Sequence, residues 1–586
     1  MLRIRVIGRA PYEEALDLQR ALASRAVDDY VLVLEHPHTY TLGVRGDPAH
    51  VLTDPEAVGA RLVRVDRGGD VTYHGPGQLV VYPIVTVPDD PGSGRRHVHL
   101  LEEVVIDVLG ALGVGGPDAR VGRRDGYPGV WIGVGTSSPR KIAAVGVRIV
   151  RASDGRRRTL HGVALNVECD LAMFAHIVPC GITDAAVTSL RSEGCPASMA
   201  EVVSAMLIRA AAAWGAGNAE VQSVAWPDRS RSGGSAAAGA GVRGGVRDGR
   251  ESPAETSGAS VGPPSWRRLE RAGVDVGARV SLSARKPPWL RAPARMGGRY
   301  VQTGREVHGL GLATVCEEAG CPNIFECWSA GTATFMVNGT RCTRACGFCQ
   351  VDTQRPLPLD PGEPERVARA VRRMGLSHAV VTCVARDDLP DGGAAAIADT
   401  VEAIRRNAPG TAVEVLISDF RGDAAALAMV LDVRPDVLNH NVETVARLQR
   451  AVRPSAGYAR SLTVLARAAD AGLTVKSGLM VGLGEREDEV VATLADLCSV
   501  GASIATIGQY LRPTRSHLPV ARWWEEGEFA RLAEIGRELG LAHVVASPLT
   551  RSSYHAGAAA QAATQDGSGA ALGGPGVPVS AVGGPS

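Results

Sequence analysis

The chain has 586 residues and a formal net charge of +1 at pH 7, and 45% of its residues are hydrophobic. One hydrophobic core does not support this length, so we expect two or more domains. The balanced charge creates no field that favours nucleic acid or a membrane surface, and no apolar run is long enough to span a bilayer. The N-terminus lacks the apolar core of a signal peptide, which predicts a cytoplasmic protein whose cysteines act as ligands or nucleophiles.

Lysine is rare in this sequence. Among the 63 lysine and arginine residues, the lysines are Lys141, Lys286 and Lys476. Arginine keeps its proton inside proteins, whereas lysine can release it. A lysine retained in such a composition is a candidate for a position that needs proton transfer or a compact ammonium group, with chance retention as the alternative.

The first 85 residues read as a strand (RIRVI), a helix (YEEALDLQRALASRA) and a buried strand (VLVLEH), followed by a glycine-rich segment and the strand LVVYPIV. The glycine-rich segment is RGGDVTYHGPGQ, which begins at Arg67. Its glycines permit a close approach of the backbone to a ligand. Arg67 and His74 can supply hydrogen-bond donors there.

The chain then continues through KIAAVGVRI, HGVALNV and IVPCGI, which places Cys180 in a Pro-Cys-Gly turn. A nucleophilic cysteine reacts as the thiolate, and a nearby lysine can help to form it. Lys141 and Cys180 are therefore a candidate catalytic pair; the alternative is an inert thiol and an exposed lysine. Cys169 and Cys195 lack such a setting, and we interpret them as structural.

These four segments, in this order over about 200 residues, resemble the lipoyl(octanoyl) transferases. The resemblance implies an α/β sheet domain of the biotin/lipoate ligase-like type over residues 1–225. It also implies that Cys180 takes an octanoyl group from acyl carrier protein as a thioester, with Lys141 as its general base and acid. The acyl group then passes to a lysine of a lipoyl domain. The acyl site would be lined by Arg67, Gly68, Gly69, Asp70, Val71, Thr72, Tyr73, His74, Ala144, Val145, Gly146, Gly162, Val163 and Ala164.

Residues 226–280 are rich in Gly, Ala, Ser and Arg and poor in large apolar side chains. Such a segment cannot bury enough surface to order itself, which predicts a flexible, disordered linker. The same argument predicts a disordered tail over residues 557–586. Because the linker offers no apolar surface for an interface, we expect the domains on either side to fold with separate cores.

Six of the eleven cysteines lie between residues 316 and 349, in the segments CEEAGCPNIFEC and CTRACGFC. They form one trio of Cys316, Cys321 and Cys327 and a second trio of Cys342, Cys346 and Cys349. Three thiolates leave a tetrahedral zinc site one ligand short. An iron–sulfur cubane tolerates three cysteines and leaves one iron open for another ligand. A zinc site and unligated structural thiols are the alternatives.

After Cys349 the sequence alternates regularly between helix-like and strand-like segments, from PERVARAVRRMG and HAVVTCVA to EFARLAEIGRELG and HVVASP. With TATFMVNG as the first strand, the alternation predicts a parallel barrel or partial barrel. Sites in such folds lie at the carboxyl ends of the strands. The second cysteine trio follows the first strand, where such a site is expected.

The spacing of the second trio resembles that of the radical S-adenosylmethionine (SAM) enzymes. With further segments, the resemblance extends to lipoyl synthase over about 270 residues. These segments are the upstream trio, RDDLPDGG, NHNVET, KSGLMVGLGE, TIGQYLRP and RSSYHA. It implies a radical SAM partial (β/α)6 barrel over residues 281–556, two [4Fe–4S] clusters, and SAM on the open iron of the second trio. Ser553 would be the fourth ligand of the cluster on the first trio, which is the sulfur source.

The resemblance has four departures: the family usually has Ser, Asp, Pro and Gly where Cys383, Ala385, Ser418 and Ser547 stand in this chain. None of them removes a cluster ligand, but they put the positioning of SAM or substrate in question. We interpret Cys383 and Cys498 as packing residues, because they lie in a predicted strand and a predicted helix.

Together the two resemblances imply a bifunctional enzyme of lipoate biosynthesis, which transfers octanoyl and then inserts two sulfurs at C6 and C8. The partners would be octanoyl acyl carrier protein, the lipoyl domains of 2-oxoacid dehydrogenase complexes, glycine cleavage H protein and an electron donor. We expect no nucleic acid and no membrane. Two alternatives remain open: another radical SAM enzyme with a fused acyl-binding module, and a zinc-binding scaffold with a degenerate acyltransferase.

Overall fold

The computed structural model describes residues 1–116, 120–179, 186–216, 218–224, 266–277, 279–281, 284–292 and 296–567. Cys180, residues 226–265 of the predicted linker and residues 568–586 of the predicted tail lie outside these ranges. Within the ranges, no helix combines the length and the apolar character that crossing a membrane requires.

The first half of the chain is a mixed α/β domain that contains three helices among its described residues. Its elements are β1 Leu2–Arg9, α1 Tyr12–Arg25, β2 Asp29–Glu35, β3 Thr39–Leu42, β4 Arg61–Arg64, β5 Val71–His74, β6 Gln78–Ile84, β7 Thr86–Val87, α2 Ser93–Ala111, β8 Val121–Arg124, β9 Tyr127–Ile132, β10 Arg140–Arg151, β11 Arg157–Asn166, β12 Ala186–Val187, α3 Met199–Gly215 and β13 Ala219–Ser223.

The main sheet of this half has the strand order β13-β1-β2-β6-β11-β10-β9-β8, with β12 paired to β10 and β7 to β11. Its central strands are buried on both faces, which explains why β2 reads as an uninterrupted apolar run. Val31 and Val33 of β2 pack with α2 and α3, whereas Leu32 and Leu34 point to the face covered by α1. A smaller sheet, β4-β3-β5, flanks the glycine-rich segment.

The second half of the chain alternates helices and parallel strands, as predicted. Its elements are α4 Trp266–Arg271, α5 Gly298–Gly309, β14 Ala313–Thr314, α6 Val315–Glu318, α7 Ile324–Ser329, β15 Thr334–Val337, α8 Glu363–Met374, β16 His378–Cys383, α9 Ala394–Asn407, β17 Ala412–Leu416, α10 Ala424–Asp432, β18 Val437–Asn439, α11 Gln449–Val452, α12 Tyr458–Asp470, β19 Thr474–Val481, α13 Glu487–Ser499, β20 Ile504–Gln509, α14 Glu526–Glu538, β21 His543–Ala546 and α15 Ala556–Gly567.

The strands of this half form one sheet whose order follows the chain from β14 to β21. Strand β14 is antiparallel to β15, and every later pair is parallel. The described sheet therefore contains seven parallel strands, β15 to β21. This is one strand more than the predicted (β/α)6 barrel has, because β21 adds to the edge of the sheet by pairing with β20. The predicted fold class, an α/β sheet domain followed by a domain with a parallel βα sheet, is confirmed.

Parts of the predicted linker and tail are ordered. Helix α4 lies within the predicted linker, and Leu269 is fully buried against the second half, together with Val274 and Val276. Helix α15 lies in the predicted tail, where Ala559 is buried beside β20. Composition missed both segments because a few apolar side chains, spaced to fit an existing core, are enough to hold a short helix.

The two halves share one continuous apolar cluster, contrary to the expectation of separate cores. Helix α1 of the first half packs along α12 of the second. The expectation failed because it considered the linker alone, whereas the contact is made by surfaces inside the two domains.

The burial of Leu269 predicts the effect of truncating it. Leu269→Ala is expected to lower the free energy of unfolding of the second half by about 2–5 kcal/mol, the range for large-to-small core substitutions. Urea unfolding followed by tryptophan fluorescence measures this loss. The matched control is Arg268→Ala, since Arg268 is exposed on the same helix. Equal midpoints for both variants would contradict the packing of α4.

Candidate functional site

The first half contains a small cavity of about 50 Å³ above the middle of its main sheet. Eleven of the fourteen residues predicted for the acyl site line it. They are Arg67, Gly68, Gly69, Thr72, His74, Ala144, Val145, Gly146, Gly162, Val163 and Ala164. Segments that are distant in the sequence thus meet at one point, as the order of the motifs predicted.

Three residues predicted for the acyl site do not line the cavity. Val71 and Tyr73 are fully buried in a separate apolar cluster, because successive side chains of a strand point to opposite faces and only Thr72 and His74 of β5 face the cavity. Asp70 lies outside it, where its carboxylate pairs with the ring of His50. The structure therefore places these three residues outside the cavity that the other eleven line.

Four residues that the motifs did not indicate also line the cavity. They are Tyr12, Val80, Tyr82 and His161. His161 has a left-handed backbone (φ 61°), and its Nε2 lies 2.9 Å from Oδ1 of Asp66. The hydroxyl of Tyr12 lies 3.5 Å from Nδ1 of the same ring. The apolar pattern of β6 signals burial of Val80 and Tyr82, but no local signal connects Tyr12 at the start of α1 to this cavity.

Burial shifts the pKa values of the histidines in and behind the cavity wall in the direction that favours the neutral ring. Burial lowers the pKa of His36 to about 4, and its ring contacts the hydroxyl of Tyr82 at 2.8 Å. Burial, and after it the neighbouring His36 and Arg67, hold the pKa of His74 well below its usual value. The charge of Arg67 is held at one side by the carbonyl of Thr41, 2.6 Å from Nη2. The rest of the wall combines glycines and apolar side chains with the polar groups of Thr72, His74 and His161.

Lys141 is buried on β10, with 8% of its surface exposed. Its Nζ lies 5.5 Å from the centre of the Trp131 ring. Gly129 on the adjacent strand makes room for it, since a Cβ at this glycine would lie 2.6 Å from Cε of the lysine. Burial of a lysine beside an aromatic ring favours a specific role over chance retention.

Cys180 lies outside the described residues, but both ends of the segment that contains it are placed. On one side, the amide of Val178 donates to the carbonyl of His50 (2.8 Å). On the other side, Val187 of β12 pairs with Lys141 of β10. Val187, seven residues after Cys180 in the sequence, thus lies beside Lys141.

The other two lysines occupy different environments. Lys286 is exposed. Lys476 is fully buried inside the second half, where its ammonium donates to both carboxylate oxygens of Glu414, at 2.9 and 3.1 Å. Burial by itself would raise the pKa of Glu414, but Lys476 holds it below the usual value. This buried pair requires a compact cation, which explains the lysine without a catalytic role.

The second half contains a larger cavity of about 330 Å³, within the range of small-molecule sites. Cys342, Cys346 and Cys349 line it, in the loop that follows β15. Cys321 of the first trio and Ser553 line the same cavity. The site therefore lies at the carboxyl ends of the parallel strands, as the fold predicted.

The loop of the second trio is held by Arg344, between its first two cysteines. The guanidinium donates to both carboxylate oxygens of Asp387, at 2.8 Å each, and to Asp419 at 2.6 Å. The amide of Cys342 donates to the carbonyl of Asp352 (2.8 Å). Bidentate pairing fixes the direction of a guanidinium, so it also fixes the backbone that carries it.

Two cysteines of the first trio lie on short helices, Cys316 on α6 and Cys327 on α7, and Cys321 lies in the loop between them. Burial, and after it the adjacent thiols of Cys316 and Cys321, raise the pKa of Cys327 to about 12. The side chain of Asn323 donates to the carbonyl of Leu549 (2.8 Å) and so joins the loop of this trio to the segment that carries Ser553. The structure thus brings the three thiols and the serine to one region.

Each trio supplies three thiols, the donor set that an iron–sulfur cubane with one open iron accepts. Among the described residues, no group of three or more His, Cys, Asp or Glu side chains is placed to hold a metal ion. Each thiolate of an iron–sulfur cubane binds a different iron, so convergence on one point is not required. Burial raises the pKa of Cys346 to about 11 and of Cys349 to about 12, so ligation would release their protons.

Charged and polar groups line the large cavity beside the second trio. Arg453 lies there and donates to the carbonyl of Asn441 (2.8 Å). Arg551 and Glu443 line it as well, and burial raises the pKa of the Glu443 carboxyl. Three guanidinium groups and one carboxyl group therefore line the cavity, and Arg344 among them is already paired with Asp387 and Asp419.

Three of the four family departures, Cys383, Ala385 and Ser418, also line this cavity. Cys383 has the predicted packing role, because it packs against the main apolar cluster, and it also lines the cavity from the end of β16. Ser547 lies away from the cavity, with its hydroxyl 2.8 Å from that of Thr550. Cys498 has the predicted packing role and donates to the carbonyl of Leu539 (3.0 Å).

Two family models match the chain. The model of the lipoyl protein ligase A/B catalytic domain matches residues 11–210, and that of the radical SAM superfamily matches residues 336–497. Fold and site thus define a radical SAM protein that carries a ligase-type domain in its first half.

The chain belongs to the lipoyl synthase family. It is 58% identical over 273 residues to a lipoyl synthase of Rubrobacter xylanophilus, covering 46% of this chain and 85% of that protein. It is 56% identical over 294 residues to one of Mycolicibacterium paratuberculosis, covering 50% of this chain and 95% of that protein. Membership in this family implies SAM and iron–sulfur clusters as cofactors.

Solved structures resemble each half at low identity. A bi-partite lipoate protein ligase from Thermoplasma acidophilum is 16% identical, with a TM-score of 0.29, over 40% of this chain and 90% of that one. SuiB of Streptococcus suis bound to S-adenosylmethionine is 10% identical, with a TM-score of 0.30, over 37% of this chain and 51% of that one.

Proposed function

We propose that this chain is a bifunctional enzyme that builds lipoate on a protein. Its first half would move an octanoyl group from acyl carrier protein to a lysine of a lipoyl domain. Its second half would insert sulfur at C6 and C8 of the same octanoyl chain. The observation that carries the proposal is that one cavity of a lipoyl synthase-family domain is lined by cysteines of both trios and by Ser553.

In the first half, Sγ of Cys180 would attack the thioester carbonyl of the octanoyl carrier, and the carrier thiol would leave. Lys141 would take the proton of the Cys180 thiol and return it to the leaving sulfur. It would then take a proton from the incoming lysine amine, which displaces Cys180 and forms the amide. The cavity beside Gly146 and Gly162 would receive part of the acyl chain, since its volume of about 50 Å³ is too small for all eight carbons. Support comes from the burial of Lys141 and from its pairing with Val187, seven residues after Cys180 in the sequence.

In the second half, two cluster sites divide the work. Cys342, Cys346 and Cys349 would hold one [4Fe–4S] cluster, and the first trio with Ser553 would hold the other. When bound, the clusters supply the electron that cleaves SAM and the sulfur atoms that enter the product. Arg453 and Arg551 match the carboxylate of SAM, and Glu443 matches its ammonium group.

A single reaction tests the proposal. The purified protein is incubated without oxygen with octanoyl acyl carrier protein, apo lipoyl domain, SAM and a reductant, and the lipoyl domain is weighed by mass spectrometry. We expect an octanoyl adduct that converts to lipoyl, in which two hydrogens are replaced by two sulfurs. An unmodified lipoyl domain would overturn the transferase assignment, and an octanoyl adduct that never gains sulfur would overturn the synthase assignment.

Lys141→Arg separates charge from proton transfer. Arginine keeps the charge but cannot release its proton, so octanoyl transfer is expected to fall at least about 100-fold, within the usual range of a general acid–base contribution. Transfer to the lipoyl domain is followed by mass spectrometry, and sulfur insertion into a lipoyl domain octanoylated beforehand is expected to be unchanged. Lys286→Arg is the matched control, since Lys286 is exposed. Near-normal transfer by the Lys141 variant would refute its role.

Ser553→Ala and Cys346→Ala test the division of labour between the cluster sites. Ser553→Ala is expected to reduce sulfur insertion more than formation of 5′-deoxyadenosine, because Ser553 would serve only the sulfur-donating cluster. Cys346→Ala is expected to abolish both, because it removes a ligand of the cluster that binds SAM. Chromatography of 5′-deoxyadenosine and mass spectrometry of the lipoyl domain measure the two products. Equal losses in both variants would count against the assignment.

A further inference from the structure

The contact between the two halves is built around a buried carboxylate, that of Asp496 on α13. It accepts hydrogen bonds from Nε and Nη2 of Arg5, at 3.0 and 2.8 Å, and from the hydroxyl of Tyr30 at 3.1 Å. Both of these partners belong to the first half. Tyr458 of the second half donates a further hydrogen bond at 3.0 Å. The side chains of Arg5 and Asp496 are 3% and 1% exposed, so neither charge is left to solvent.

Three further ion pairs repeat along α1 and α12. They join Glu14 to Arg460 (Oε2 to Nε, 3.2 Å), Asp17 to Arg467 (Oδ2 to Nε, 2.9 Å) and Arg25 to Asp470. Along the chain direction, helix α1 thus presents two negative charges and then one positive charge. Helix α12 presents the opposite sign at each of the three positions, two positive charges and then one negative charge. A partner with another order would bring like charges together, so the pattern favours one specific docking.

Apolar side chains fill the space between these charges. Leu18 and Leu22 of α1 and Ile7 of β1 pack against Ala459 and Leu462 of α12. The cavity left between the two surfaces is about 10 Å³. This close packing resembles a protein interior more than a transient contact between domains.

We infer that the second half carries a docking face, made by α12 and α13, whose partner is the first half of this same chain. The two halves form one body that remains assembled when the chain between them is cut. The buried charges give the reason: separation would strip Asp496 of three of its four described hydrogen bonds, and Arg5 of both of its bonds to that carboxylate. The inference does not depend on the proposed transferase activity.

Docking also places α1 between the two cavities. Tyr12 of α1 lines the small cavity of the first half. Glu14 lies against Gly422, where a Cβ would come within 2.6 Å of its carboxylate. Gly422 closes the turn that begins after Asp419, and Asp419 binds Arg344 of the cysteine loop at 2.6 Å. The first half therefore covers the turn that anchors the cluster-binding loop.

Cleavage of the intact chain tests the docking. A protease recognition sequence is inserted near Ser235, the folded protein is cut, and the products are separated by size exclusion at about 0.15 M salt, where exposed ion pairs are already screened. We expect both fragments to elute together at the position of the uncut chain. Separate elution would overturn the inference.

Charge reversal tests whether this particular face holds the fragments. Glu14→Arg and Arg460→Glu are each expected to weaken the association of the cut fragments at least about 100-fold, because each leaves uncompensated charge in a buried contact. The double variant restores opposite charges and is expected to regain co-elution. The matched control is Arg406→Glu, which alters an exposed ion pair with Glu365 elsewhere on the second half.

The double variant decides the result if a single reversal prevents folding. Co-elution of its cut fragments supports the face described above, and their separation contradicts it. Co-elution of every single variant, without any loss of affinity by analytical ultracentrifugation, would show that another surface joins the halves and would overturn the assignment.

Discussion

The interaction on which the second half, with its two cysteine trios, depends is the pairing of Arg344 with Asp387 and Asp419. The three side chains come from the loop after β15, the loop after β16 and the segment after β17, so one guanidinium ties together the carboxyl ends of successive strands. Because Arg344 lies between Cys342 and Cys346 in the sequence, its pairing also fixes the backbone that positions the two thiols. A flexible loop would have to be ordered each time that a cluster was bound, whereas this one is ordered by protein groups alone.

The sequence carries more information about which segments meet within a domain than about how the domains meet. The motifs that contain Arg67, Ala144 and Gly162 lie at one cavity, because strands that pair in a sheet bring the segments next to them together. Val71 and Tyr73 do not reach this cavity, since a contiguous motif on a strand alternates between two faces. Tyr12 could not be found because its contribution depends on where a helix packs, and packing is not encoded by local spacing.

The contact between the halves escaped prediction for a similar reason. Arg5, Glu14 and Asp17 look like ordinary charges on a strand and an amphipathic helix, and most such charges face solvent. Each becomes significant only when a complementary charge far along the chain lies opposite. The composition of residues 226–280 contains no information about the surfaces of the two domains. Helix α4 illustrates the same limit, because Leu269 was read as part of a polar segment although it is fully buried.

The chain is anchored to a core on both sides of residues 225–265. The amide of Val224 donates to the carbonyl of Val6 (2.7 Å), and Trp266 begins a helix that packs on the second half. The relative geometry of the two halves is set by contacts inside the domains, such as the buried pair of Arg5 and Asp496. A substitution at this contact therefore acts on two cores at once, although the residues that meet there are 491 positions apart.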